Sequence, residues 1–574
     1  MKKSLKVLSL LAFIEGLLAI LWIWVDRFLT GRGRLTPFLA SGGCIILIAA
    51  LGVFLVRLSR SPQWAERTAS RLEAWLRHGE RLFVVKDALV VGLIFSIEGF
   101  LLTHLWFPLA TRPVTIWGIF FFAQAWFVLA RIYRDAFRSR PGGQRLLRLK
   151  WGGLDPVQKK TLLVLLVIAA VYFGFFSWVN WHGISESAET FFGGAGDEVV
   201  IYPVVVEMVS SGPTFAANSY RFLIHEDYHY GYPYFYLNAL VLFFSRLVFG
   251  SDFANHTQIN LFILRQFVSV LPMMLAILVF VYIVTKFKSV LYSAGMFIVM
   301  LFIPGVIRYN QRFWHPDALM ILFIALTFYC LQRDRLRFGR DFYYAAVMCA
   351  LATAVKLYGF FFFLAIAGYL LAGLSGKVLT LKKMILAGLA FLLVMGMALI
   401  ASSPFLLVPT ANQSMIRILK EKSYEMSHGY DEPDPQHIYR TGLDIWLQFF
   451  DMHYTRPYFF FFLLGALALG SLLGSEKYLN RLILAWCLVV GGYLVFFVAA
   501  KSYQYPLPLM LPFYAGGFLF PAILNTNSSS LVRGFFNKPA VRLVVRGLGF
   551  VMISSQFLYN GWLILISPNV RVFF

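Results

Sequence analysis

The segment GDEVVIYP (196–203) sets two adjacent carboxylates, Asp197 and Glu198, a short way beyond an apolar run. Further on, IHEDYHYGYPYFY (224–236) packs His225, Glu226, Asp227, His229 and five tyrosines, Tyr230 and Tyr232 among them, into thirteen residues. Groups of this kind supply a general base and a partner to orient it. They also suit a divalent ion, since His225 and His229 stand four residues apart with acids between. A solvated loop opening a helix accounts for the same acids without chemistry, so spacing alone leaves base, metal ligand and plain loop all open.

A second set consists of cations where apolar runs end. Arg265 opens one run, Arg312 sits in RYNQRFWHPD (308–317), Lys356 in ATAVKLYG (352–359), and Lys501 with Tyr503 opens KSYQYPLPLMLPF (501–513). One cation at a helix end is ordinary snorkelling. Four of them near external carboxylates suit an anionic group at the bilayer surface, such as a lipid phosphate or pyrophosphate. His315 and Asp317 flank Pro316 at the mouth of a further run, and an acid there is a poor choice for packing alone. EKSYEMSHGYDEPD (421–434), carrying Glu425 and His428, reads either as a hydrophilic connector or as a lid over a substrate.

The elements that must position these residues are membrane helices. The 574 residues are 59% hydrophobic, 18% aromatic and only 14% charged, against about 25% charged in soluble proteins, and mean hydropathy is +0.71. The resulting fold class is an all-α polytopic membrane protein. Apolar runs near the ~20 residues that a bilayer core requires number fifteen. Four lie in 1–131, a candidate N-terminal module, and eleven in 161–574, with a basic linker over 132–160. The long external loops are 181–264 and 403–456.

The stretch 232–250 is ambiguous by hydropathy, and charge decides it. If it lies in the interface rather than spanning, the cluster QRDRLRFGR (332–340), Lys377, Lys382, Lys383 and the tract 533–546 all fall on the inner side with the basic loops 57–86 and 131–160, as the positive-inside rule requires. The net charge of +23 is then an orientation signal rather than a nucleic-acid footprint. The four cysteines sit in apolar runs without paired spacing, which supports neither a disulfide framework nor a zinc site. No Walker or GxGxxG fingerprint is present.

Taken in order, these residues resemble the GT-C superfamily of polyprenyl-phosphate-sugar glycosyltransferases, which includes relatives of the protein O-mannosyltransferases and the aminoarabinose transferase of lipid A. The resemblance covers roughly 160–574 and rests on an ordered series. It runs through Asp197-Glu198; Tyr230, Gly231, Pro233 and Tyr236; Arg265; Arg312, Pro316 and Asp317; Ala354, Lys356 and Gly359; Ser403, Pro404 and Phe405; and Tyr503, Pro506, Pro508 and Pro512. It implies a GT-C-like helical core with extracytoplasmic juxtamembrane helices, in a bacterial inner membrane with its site facing the periplasm. It further implies Asp197 as general base in an inverting transfer, with Glu198 assisting by hydrogen bonding or ion binding. Arg265, Arg312, Lys356, Lys501 and Tyr503 would hold the donor's phosphate. His225, Glu226, Asp227, His229, Tyr230, Tyr232, His315, Asp317, Glu425 and His428 would surround the substrates. The partners implied are a polyprenyl-phosphate-linked sugar and a glycan or lipid acceptor, with a protein acceptor disfavoured because the paired proline and soluble domain of the mannosyltransferases are missing. A divalent ion is an open cofactor. A lipid-linked glycan ligase or polymerase shares this architecture. A transporter or flippase fits less well, because the ionisable residues gather at one face and no two halves mirror each other.

Overall fold

A computed structural model of the protein describes residues 154–183, 197–214, 217–218, 221–222, 225, 227–312, 314–407, 409–429, 439–525 and 538–565. The chain divides into two compact units, 1–146 with 400–409 and 147–399 with 410–574. The four-span module expected over 1–131 lies outside the described residues.

The described residues are helical, with no strand among them. In chain order the helices are α1 (Pro156–Gly183), α2 (Asp197–Val209), α3 (Tyr232–Phe249), α4 (Thr257–Thr285, with a π-helical turn at Arg265–Val270), α5 (Val290–Leu301), α6 (Pro304–Arg312), α7 (Asp317–Asp334) and α8 (Arg340–Val355). Next come α9 (Phe362–Ser375), α10 (Leu381–Ala401), α11 (Pro409–His428), α12 (Leu443–His453), α13 (Pro457–Leu473), α14 (Lys477–Phe497), α15 (Leu507–Gly517) and α16 (Pro539–Leu565). Prolines open several of them (Pro233, Pro457, Pro508), where the missing N–H would have had no helical partner.

Seven helices among the described residues are long and apolar enough to cross a membrane, and up to nine if the bent pairs α5–α6 and α12–α13 each form one span. This makes the unit an all-α membrane protein. Three of the eleven spans expected after residue 160 are not met by that measure: α7 carries Asp317, Arg333 and Asp334, α8 has 16 residues and α15 has 11. These three are the most buried helices, walled from lipid by their neighbours. The peripheral helices do the reverse, and α16 turns Leu543, Phe550 and Leu558 outward, each more than 70% exposed, an apolar surface that suits hydrocarbon rather than water.

Helix Tyr232–Asn255 also passes the length and hydropathy test, yet both its ends lie at one end of the bundle. Before its first turn, Gly231 N–H donates to Val355 O (3.1 Å) where α8 finishes. Near its last turn, Ser245 Oγ donates to Asn260 Oδ1 (2.5 Å), one turn into α4. From there α4 and α8 reach the opposite end, where Gln332 Nε2 of α7 donates to Ile283 O (3.0 Å). α3 is thus held at its start by the end of α8 and near its close by the start of α4. That opposite end is the basic one. There the Asp334 carboxylate accepts N–H bonds from Phe338 (2.9 Å) and Gly339 (2.7 Å) and a hydroxyl from Tyr369 (2.6 Å), fixing the turn that bears Arg335 and Arg337.

Candidate functional site

Asp197 and Glu198 occupy the first turn of α2, where the helix dipole favours anions. Successive helical residues point about 100° apart, and the two carboxylates part company. Glu198 is 1% exposed and turns inward. Its oxygens accept from Arg265 Nε (3.2 Å) and Nη2 (2.9 Å) and from the Trp314 N–H (2.7 Å). This is a two-pronged, charge-assisted pair, presented by the π-helical turn of α4; such turns insert one residue and re-aim the side chains around it. Trp314 is held further by its indole N–H on Asn238 Oδ1 (2.6 Å) and by Tyr234 Oη donating to its carbonyl (3.1 Å).

Asp197 points outward, its side chain 51% exposed. Its Oδ2 accepts from Tyr230 Oη (3.0 Å) and lies 3.4 Å from His315 Nε2. Tyr230 Oη is in turn 2.8 Å from that nitrogen. The other ring nitrogen, Nδ1, is hydrogen-bonded to Asp317 Oδ2, and Lys356 Nζ donates to Asp317 Oδ1 (2.9 Å). A continuous polar chain thus runs Lys356–Asp317–His315–Tyr230–Asp197. The His315 backbone is pinned on both sides, its N–H on Ser269 Oγ (3.3 Å) and its carbonyl on Tyr309 Oη (2.6 Å). Lys356 reaches Asp317 because α8 stops one residue earlier and Lys356 is extended. Gly359 then folds back, and a Cβ there would lie 2.3 Å from Thr353 N. Gly231 is likewise obligatory, since its Cβ would fall 1.3 Å from Ala354 O.

The electrostatics are set by these contacts. The His315 hydrogen bond, outweighing burial, holds Asp197 well below the usual carboxylate range. Burial opposes charge on His315, but Asp317 and Asp197 prevail and raise it. Burial and the Asp197 charge hold the Tyr230 hydroxyl well above the usual range, so it remains a donor. The consistent proton arrangement has imidazolium Nε2–H donating to Tyr230 Oη, and Tyr230 O–H donating to an ionised Asp197.

Beside this chain is a second cationic group that sequence reasoning missed. Arg308 lies over the Tyr503 ring (4.7 Å), and Lys356 stands 5.6 Å from the Tyr505 ring. Tyr454 Oη donates to Tyr503 O. In RYNQR the sequence points to Arg312, four residues later, whose side chain lies outside the described residues, as does Glu226.

Other expected residues are used differently. Arg265 is buried and engaged by Glu198. Lys501 donates to the carbonyls of Arg440 (2.8 Å), Ala499 (2.7 Å) and Val498 (3.4 Å) and lies 4.2 Å over Trp446. It stitches the chain around α12 and α14. His225 is 2% exposed, 4.2 Å from the Phe235 ring and parallel to Tyr232, and burial pushes it down to about 4. It and Tyr232, 1% exposed, form packing beneath the loop. His229 turns instead to Asp227 (Nδ1–Oδ1 2.6 Å), whose hydrogen bond raises it. Glu425 pairs with Lys422 (2.6 Å) and His428 stacks on Tyr424 (4.1 Å), both within α11. Among the described residues, no three His, Cys, Asp or Glu side chains converge as a metal-binding group.

Fold and composition together define an all-α membrane protein with a half-exposed, ion-paired carboxylate at one end. Compared with known proteins, the chain matches no family model and no curated protein.

Proposed function

We propose that the protein is a membrane glycosyltransferase that moves a sugar from a polyprenyl-phosphate or pyrophosphate carrier to an acceptor hydroxyl at the extracytoplasmic face. The observation that carries this reading is Asp197, ionised and half exposed, on Tyr230 and His315 at the head of a polar chain that ends in the cation Lys356. The acceptor oxygen attacks the anomeric carbon as the carbon–phosphate oxygen bond breaks, its proton passes to Asp197, and the electron pair leaves with the lipid phosphate. A carboxylate of lowered pKa is a weak base towards a resting hydroxyl. Its proton transfer therefore accompanies C–O bond formation, when the hydroxyl becomes acidic. Lys356 and Arg308 stabilise the charge that grows on the leaving phosphate. Glu198 fixes the loop that presents His315 rather than acting on substrate.

The test is incubation of the purified protein with a radiolabelled polyprenyl-phosphate sugar, alone and with candidate acceptors. Wild type is expected to release or transfer the label and Asp197→Asn to do neither. Unchanged lipid with wild type, together with an Asp197→Asn variant that still supports cell-envelope function, would remove the reading.

A further inference from the structure

A groove of about 440 Å³ opens on the unit at the basic end, far from Asp197. Its walls are apolar, from Leu291, Tyr292 and Met296 of α5, Phe462 of α13, Phe518 after α15 and Phe550 of α16. It exists because α16 packs unevenly. The upper half of that helix is tied to the bundle, with Gln556 Oε1 accepting from Arg456 N (3.1 Å) and Tyr559 Oη donating to Asp451 O (3.1 Å). At Gly549 a Cβ would lie 2.7 Å from Phe520, so the helix still touches there. Between Arg546 and Ser554 its face towards α5 lines the groove. We propose that this groove holds one acyl chain of an anionic phospholipid from the leaflet at the basic end, with its phosphate on Arg546.

Depth, lining and charge each favour that occupant. From Ser289 to Val299 along α5, and from Arg546 to Ser554 along α16, the groove runs roughly 12–15 Å at 1.5 Å per residue. That is about half of a ~30 Å hydrocarbon core, the depth of one leaflet. Arg546 is exposed and sits at the mouth, with Arg542 and Lys538 following at four-residue intervals towards the basic end, and the exposed Lys288 beside Ser289. Basic residues at such a level attract anionic headgroups at around fivefold in affinity each. A polyprenyl donor is the wrong occupant on this geometry, because its phosphate would sit at the end away from Asp197. The inference does not depend on the transferase reading.

The test is native mass spectrometry of the full-length protein, released from micelles titrated with phosphatidylglycerol, phosphatidylcholine or a polyprenyl phosphate. Wild type is expected to retain one phosphatidylglycerol in preference to phosphatidylcholine, and Arg546→Ala to lose about fivefold of that preference. Gly295→Leu is the second variant. A Cβ at Gly295 meets nothing within 4 Å and Gly295 lines the groove, so leucine there enters the groove and leaves Arg546 in place; retention is expected to fall, with an unchanged thermal midpoint as the check that the fold is intact. Equal retention of the zwitterionic lipid, full retention by Gly295→Leu, or displacement of phosphatidylglycerol by polyprenyl phosphate would each overturn the proposal.

Discussion

Two neighbouring carboxylates on one helical turn meet opposite fates. Glu198 is sealed under Trp314 and locked to Arg265, whereas Asp197 faces out with a charged histidine behind it. The buried pair repays its desolvation through three hydrogen bonds and fixes geometry. The exposed one leaves a lone pair for a ligand. Position on the turn, rather than residue type, separates the buried carboxylate from the exposed one.

The sharpest way to break that contrast is through rate. Asp197→Asn should lower transfer by roughly 10²–10⁴-fold while leaving the thermal midpoint in detergent nearly unmoved; equal losses of both would merge the two roles. Next in size is the buried pair. Arg265→Met strands Glu198 and should cost about 3–5 kcal/mol of stability, whereas Arg265→Met with Glu198→Met should recover most of it in a denaturation titration. Arg308→Ala should raise KM for the lipid donor by about tenfold to a hundredfold, as for loss of a charged hydrogen bond, with kcat less affected; an unchanged KM would detach Arg308 from the site.

A smaller effect concerns pH. Asp197 is lowered, so its contribution to stability is complete above the ordinary carboxylate value near ~3.9 and disappears as pH falls through its folded value. His315 is raised, so its contribution is complete below ~6.5 and is lost as pH rises through its folded value. Thermal midpoints across pH should therefore show a plateau between those limits, and His315→Gln should flatten the alkaline limb. The smallest change expected is from His225→Phe, which keeps ring packing around a group held neutral and should cost no more than about 1.5 kcal/mol.

Much of the scaffold was legible because hydropathy and charge are properties of composition. The interfacial reading of 232–250 rests on where the arginines must lie, since by length and hydropathy α3 is itself a candidate span. The acidic pair was legible as a pair, but not which member faces inward, since that depends on the neighbours of α2. The π-helical turn at Arg265 leaves no sequence signature, so the pairing of Arg265 with Glu198 was not legible. The surroundings of Lys501 were hidden for a similar reason: its partners are backbone carbonyls, which any sequence supplies. Arg308 was missed because its significance comes from Tyr503, almost two hundred residues away. The surplus of tyrosines in 503–505 was the available hint. The spans α7, α8 and α15 fall short of the length and hydropathy test because a helix buried among helices can be shorter, or carry more charge, than one that faces lipid.

Gly231 and Val355 are joined backbone to backbone, one residue from Tyr230 on one side and one from Lys356 on the other. The hydroxyl beside Asp197 and the cation beside Asp317 thus hang from a single rivet. The main-chain bond fixes the spacing of their Cα atoms, so that the two side chains start from a common point of the backbone.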